Sequence, residues 1–178
     1  MVPNKHVRPT TDFVREALYN IIGDDIKDSN ILDLFGGSGA LSIEGISRGA
    51  NFATIIDKNS MAIKIIKNNL KNIDIQNAKV IKGDSRAIIK TLSQNNENRS
   101  KFNIVFLDPP YKEIFIYKEI LKLLYKSNLL SKNACIICEL NSKENLENIE
   151  NYQEIKNKKY GNSRLIFLKL IQNLENLN

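Results

Sequence analysis

The chain opens with an amphipathic pattern. Phe13, Ala17, Leu18, Ile21 and Ile22 recur at helical spacing behind Thr11, a residue type that caps helix starts, so residues 11 to 22 predict a helix. From Ile31 the rhythm changes: the short apolar run ILDLF ends in glycines and is followed by ALSIEGISR, which is helical in character. FATII then ends at Asp57 and leads into a helix from about Asn59, with Met61, Ala62, Ile65, Ile66, Asn69 and Leu70 on one face and Lys64, Lys67 and Lys71 on another. AKVI ends at Gly83 and Asp84 before SRAIIKTL, and FNIVFL ends at Asp108 before the helix IYKEILKLLY. ACIICEL is a fifth strand. Strands that are apolar on both faces and alternate with helices predict a parallel sheet covered on both sides.

The last stretch breaks the alternation. EIKNKKY and RLIFLKL, joined through Gly161 and Asn162, predict a closing hairpin with no helix between its strands. The expected fold is therefore α/β, a doubly wound, mostly parallel sheet with an antiparallel C-terminal hairpin. In such sheets ligands bind beyond the carboxyl ends of the strands, where the strand order reverses. The polar run SQNNENRSK, residues 93 to 101, reads as an exposed loop within one domain.

Composition narrows the class. A chain of 178 residues buries roughly 70% of its unfolded surface, so it needs no disulfide or metal to hold its core. Its two cysteines, Cys135 and Cys138, are too few for a four-ligand zinc site, and alternation puts them on opposite faces of a strand as small apolar fillers. Reduced thiols, no apolar run near 18 residues and no leader-like start predict a cytoplasmic protein that makes no use of a membrane. The formal net charge of +6, from 26 Lys+Arg against 20 Asp+Glu, leans toward a polyanionic partner. It does not name one, because the lysines travel with asparagine and isoleucine, a pattern that genome composition also produces.

Four strand ends carry polar signals. Asp33-Leu34-Phe35-Gly36-Gly37-Ser38-Gly39 is a glycine turn between strand and helix, where the backbone can approach a ligand closely. A dinucleotide site would want a third glycine where Ser42 stands, and there is no phosphate-binding GxxxxGK[ST] loop, so a nucleotide-like cofactor without phosphate fits better than a bare turn. Asp57, at the end of the second strand, is either an acceptor for both hydroxyls of a ribose or a solvated turn residue. Asp84, in Gly83-Asp84-Ser85, either accepts from an adenine amine or caps the next helix. The sharpest signal is Asp108-Pro109-Pro110-Tyr111. Two prolines after a buried strand stop the ladder and stiffen the chain, fixing the Asp108 carboxylate and the Pro109 carbonyl as acceptors. Tyr111 adds a flat face for stacking on a planar ring. Together they form a receptor for an exocyclic NH2 group on a base.

In this order, DLFGGSG, Asp57, Asp84 and DPPY resemble the S-adenosylmethionine-dependent amino-methyltransferases of the Rossmann-like class. RPTTDFVREALYN from Arg8 and LDLFGGSGALSIEGISRGA narrow the resemblance to the bacterial family that methylates the N2 amine of a guanine in 16S ribosomal RNA, over about residues 8 to 170. DPPY alone names only the chemistry; the opening motif and SRGA single out the ribosomal family. The resemblance implies a seven-stranded sheet and S-adenosyl-L-methionine as cofactor. Asp33, Phe35 and the backbone of Gly36, Gly37 and Gly39 would hold its methionine end, Asp57 its ribose, and Asp84 with Ser85 its adenine. Asp108, Pro109 and Tyr111 would be catalytic, with Pro110, Tyr111, Arg8 and Arg15 on the substrate. Arg8, Arg15 and Arg48 are either phosphate contacts or salt-bridged surface arginines. No metal is expected.

The implied partner is 16S rRNA, within the small subunit or an assembly intermediate, met by a monomer. Family members usually begin with a further basic segment rich in arginine and glycine; here seven residues precede Arg8, so either residues 1 to 10 are a flexible remnant with weakened grip on RNA or the sequence starts internally. Lone His6 has no expected role. A DNA adenine or cytosine methyltransferase shares the strand-end signals but generally carries a further region to read sequence. A protein-glutamine methyltransferase usually has asparagine where Asp108 stands. An RNA-binding module with a vestigial pocket would bind no cofactor, and a nicotinamide dehydrogenase would prefer NAD.

Overall fold

The computed structural model describes residues 12–94, 101–110 and 114–171. Seven strands form one sheet: β1 (Asn30–Asp33), β2 (Phe52–Asp57), β3 (Ala78–Lys82), β4 (Phe102–Leu107), β5 (Leu130–Asn141), β6 (Tyr152–Tyr160) and β7 (Ser163–Leu170). Five α-helices lie among them: α1 (Asp12–Ile22), α2 (Ala40–Ser47), α3 (Ser60–Asn72), α4 (Ser85–Gln94) and α5 (Ile114–Lys126). The sheet order is β3-β2-β1-β4-β5-β7-β6. β1 to β5 pair in parallel, while β7 runs antiparallel to both β5 and β6. The expected doubly wound sheet with a C-terminal hairpin is thus the observed fold.

The order follows from the side chains. RLIFLKL is buried in its middle on both faces, and β7 is sandwiched between β5 and β6; the lysine-rich β6 takes the edge, where charge guards unpaired backbone groups. Alternation along the inner strands feeds two hydrophobic layers. Leu32, Ile56, Val105, Ile136 and Cys138 pack under α4 and α5 with Ile89, Tyr117 and Ile120. Ile31, Ile55, Ile104, Phe106, Cys135 and Ile137 pack under α1 and α3 with Leu18, Tyr19 and Ile66. Cys135 and Cys138 therefore fill opposite faces, as the strand pattern predicts.

Two helix faces differ from expectation. α1 buries Val14, Leu18, Tyr19 and Ile22, while Phe13 is 65% exposed and meets the Tyr160 ring edge-on at 5.9 Å. α3 buries Ala62, Ile63, Ile66 and Leu70, leaving Met61 and Ile65 exposed. In both helices an apolar residue flanking the stripe extends the apparent face by about one position. Asn69, grouped with the apolar face in the sequence, has its own role: its amide donates to the Ser38 carbonyl at 2.9 Å, tying α3 to the glycine turn. α4 runs to Gln94, so Ser93 and Gln94 are helical, and the rest of the polar stretch to residue 100 lies outside the described residues. Thr11 and His6 also lie outside them.

Candidate active site

The chain steps outward from β1 to β2 and β3, then crosses back to β4 on the other side of β1. Beyond this reversal lies a cleft of about 440 Å³, lined by Phe35 and Gly37 after β1, Asp57 at the end of β2, Asp84, Ser85 and Arg86 after β3, and Asp108, Pro109 and Pro110 after β4. Volumes of this order suit a cofactor or small ligand. Four segments distant in sequence are brought together because parallel strands end on the same edge.

Each carboxylate is held differently. One Asp57 oxygen accepts from the Gly37 N–H at 2.9 Å and the other from the Asn59 N–H at 2.7 Å. Every carboxylate oxygen has two acceptor sites, so Asp57 keeps capacity toward the cleft. Gly37 has φ +56°, a backbone state that glycine adopts freely, and it turns its N–H toward Asp57. Gly36 is needed for space: a Cβ there would lie 2.5 Å from Ile55 Cγ2 and 3.0 Å from Ile66 Cδ1. Of the three glycines named in the sequence, Gly37 lines the cleft; Gly36 and Gly39 shape the turn behind it.

Asp33 lies beneath that turn, 3% exposed, and does not line the cleft. Its carboxylate accepts from the Ser42 hydroxyl at 2.8 Å and the Phe35 N–H at 3.4 Å. Burial pushes its carboxyl up to about 6; the Ser42 and Phe35 hydrogen bonds oppose the shift and the nearby Asp57 charge adds to it. Ser42, which breaks the dinucleotide fingerprint, is the buried partner of this carboxylate.

Asp84 caps α4, accepting from the Arg86 N–H at 3.0 Å, and it also pairs with the Arg86 guanidinium at 2.9 Å. The hydrogen bond from Arg86 holds its carboxyl at about 2. Arg86 reaches Glu119 of α5 at 3.2 Å, so the ion pairs join both helices at the cleft wall. The capping role of Asp84 is thus present in the fold. The Ser85 hydroxyl donates to the Leu34 carbonyl, locking the start of α4 to the end of β1.

Asp108 follows the buried end of β4 and faces the cleft with Pro109 and Pro110. Its charge, after burial, is the next cause pushing up the Tyr117 hydroxyl, which donates to the Glu139 carbonyl at 2.5 Å. Tyr111 and Arg8 lie outside the described residues. Arg15 pairs with Asp12 at 2.9 Å, while Arg48 pairs with Glu44 at 2.8 Å and sits 5.0 Å from the Tyr19 ring centre. Both are salt-bridged arginines and neither lines the cleft. Sequence reasoning missed Arg86 and Phe115, which does line it. Arg86 had a signal: a cation in the first turn of a helix opposes the helix dipole and calls for a compensating acid. Phe115 had none.

No group of three or more metal-ligating side chains is present among the described residues. Nor is any helix of those residues long and apolar enough to cross a membrane.

A parallel sheet reversed beside β1, closed by a β7-centred hairpin and bearing its cleft over the reversal, is the architecture of class I methyltransferases. Residues 1–169 match the model of the family described as conserved hypothetical protein 95, and the chain belongs to that family. A relative from Buchnera aphidicola subsp. Baizongia pistaciae, named ribosomal RNA small subunit methyltransferase D, is 40% identical over 140 residues, 78% of this chain and 68% of the relative. The solved structure of yhhF from Escherichia coli superposes with a TM-score of 0.81 at 29% identity, covering 96% of this chain and 90% of that one. A conserved hypothetical protein from Streptococcus pyogenes gives 0.76 at 33% identity, over 89% and 96%.

Proposed function

We propose that this protein transfers a methyl group from S-adenosylmethionine to the exocyclic N2 amine of a guanine in 16S ribosomal RNA, within the small subunit or its assembly intermediate. The observation that carries the reading is one cleft holding Asp57, Asp84 and Asp108 from three separate strand ends. The name of the Buchnera relative supports RNA of the small subunit as the substrate class.

The residues present fit this cofactor. Three carboxylates against Lys58 and Arg86 leave the cleft lining net negative, which disfavours a phosphate-bearing ligand and favours one carrying an ammonium and a sulfonium. Asp57 retains acceptor sites for the ribose hydroxyls. Asp84 meets the adenine end, with Ser85 fixing the α4 start there. Gly37 and Phe35 form the wall at the methionine end, and buried Asp33 contributes negative charge from below through the turn it supports. S-adenosylmethionine, when bound, supplies an electrophilic methyl group whose departure leaves a neutral thioether.

The chain's own work falls on Asp108 and Pro109. A guanine amine is a poor nucleophile because its lone pair is delocalised into the ring. Hydrogen bonds from that NH2 to the Asp108 carboxylate and the Pro109 carbonyl favour a tetrahedral nitrogen and aim its lone pair. Positive charge grows on nitrogen as the bond to carbon forms, so a fixed carboxylate beside it stabilises the transition state more than the ground state, and the strongly acidic methylated nitrogen then releases one proton to water. Tyr111 stacks on the extruded base.

The test is direct. The protein is incubated with methyl-labelled cofactor and small subunits lacking the modification, and the labelled nucleotide is mapped. Label on a guanine N2 supports the reading; label on another atom, or on DNA adenine or cytosine in parallel reactions, defeats it.

A further inference from the structure

The β6–β7 hairpin carries a concentration of positive charge that the cleft does not use. From Tyr152 to Leu170 the chain holds Lys156, Lys158, Lys159, Arg164 and Lys169 against the single acid Glu154. Lys156, Lys158 and Lys159 are exposed, and no salt bridge to them occurs among the described residues.

Register fixes where these groups stand. Lys156 pairs with Phe167, Lys158 with Leu165 and Tyr160 with Ser163, so the three alternate along one face of β6, the face of α1. Tyr160 meets the exposed Phe13 ring there. Ser163 also pairs with Asn141, the last residue of β5, which puts the hairpin turn on the edge where the parallel strands end and the cleft opens. β6 lies three strand positions from β4, which bears Asp108; at ~4.8 Å per step the strands are about 14 Å apart.

We propose that this face of β6 is an RNA-docking surface, with Lys156 and Lys158 on the phosphates flanking the extruded base and the Tyr160–Phe13 pair offering a stacking platform. Exposed cations interleaved with aromatic rings form the recognition chemistry of a single strand. The lysines also protect a sheet edge, but any charge does that, whereas phosphate contact needs a positive one. The inference rests on the reading of RNA as substrate.

The test compares the double variant Lys156→Glu/Lys158→Glu with Lys67→Glu/Lys71→Glu, an equal charge change on the exposed face of α3. Small subunits lacking the modification, and in parallel the unmodified 16S rRNA transcript, are bound to each protein by filter assay between about 50 and 200 mM salt, with S-adenosylmethionine affinity measured alongside. The β6 pair should weaken RNA binding about tenfold or more and flatten the log–log salt slope by ~1.4, two contacts at ~0.7 each. The α3 pair should stay near wild type, and both should keep wild-type cofactor affinity. Unchanged RNA binding in the β6 pair, or equal loss in both pairs, overturns the docking surface alone. Wild-type protein that binds cofactor but neither the subunits nor the transcript overturns both this surface and the proposed substrate.

Discussion

The two halves of the sheet end their acid-bearing strands in different kinds of backbone. On the β1–β3 side every carboxylate has neighbours that pin it: Asp57 between two backbone N–H groups, Asp33 under Ser42 and Phe35, Asp84 against Arg86. On the β4 side, Asp108 stands at the end of a buried strand stopped by two prolines and lines the cleft beside them. The first half is a preformed socket of glycine turn and helix starts. The second sets a short, stiff stretch of chain in the cleft wall.

That contrast can be broken most sharply at Asp108. Asp108→Ala should lower the methyl-transfer rate about 10²–10³-fold while leaving cofactor affinity near wild type, because one preorganised electrostatic partner of the reacting nitrogen is gone. Rates within a few fold of wild type, in a labelled-methyl assay, would remove Asp108 from the chemistry.

Asp33 sharpens the comparison from the other side. Its folded pKa of about 6 lies above the unfolded value of 3.8, so the folded chain holds this proton more tightly. Its contribution to stability is greatest below about pH 4 and falls as the pH rises through 6, reaching a cost on the order of 3 kcal/mol at neutrality. Asp33→Asn should therefore raise the melting temperature at pH 7.5, with the gain fading toward pH 4, and should weaken binding of the cationic cofactor. A gain independent of pH would contradict the burial account.

The smallest effect is expected at Asp57. Asp57→Ala should raise the cofactor Kd roughly tenfold, about 1.4 kcal/mol for lost charged hydrogen bonds, with little change in rate at saturating cofactor. Isothermal titration separates the two, and a rate loss that persists at saturation would show that the socket also aligns the reacting groups.

Much of this was legible in the chain. Isoleucine-rich runs ending in Gly or Asp locate β1 to β4, and the parallel architecture puts their ends on one edge. What the sequence hid were contacts between distant segments. Phe13 looks like core until Tyr160, from the far end of the chain, is seen beside it. Asp84 reads as a ligand or a cap, but its tie through Arg86 to Glu119 spans two helices. Ser85 looks like a second adenine contact, yet its hydroxyl reaches back to Leu34. Asp33 shares a motif with the turn residues while its burial separates it from the cleft. Local periodicity reports which residues are apolar, not which neighbour covers them.

The opposed cysteines have a practical consequence. Burial pushes the Cys135 thiol up to about 12 and raises Cys138 as well, so neither forms the thiolate that alkylating reagents attack. Each sits in a different hydrophobic layer. Pulse alkylation followed by peptide mass mapping would thus time the opening of the two layers separately, and show whether the helical coats on either side of the sheet come away together or in turn.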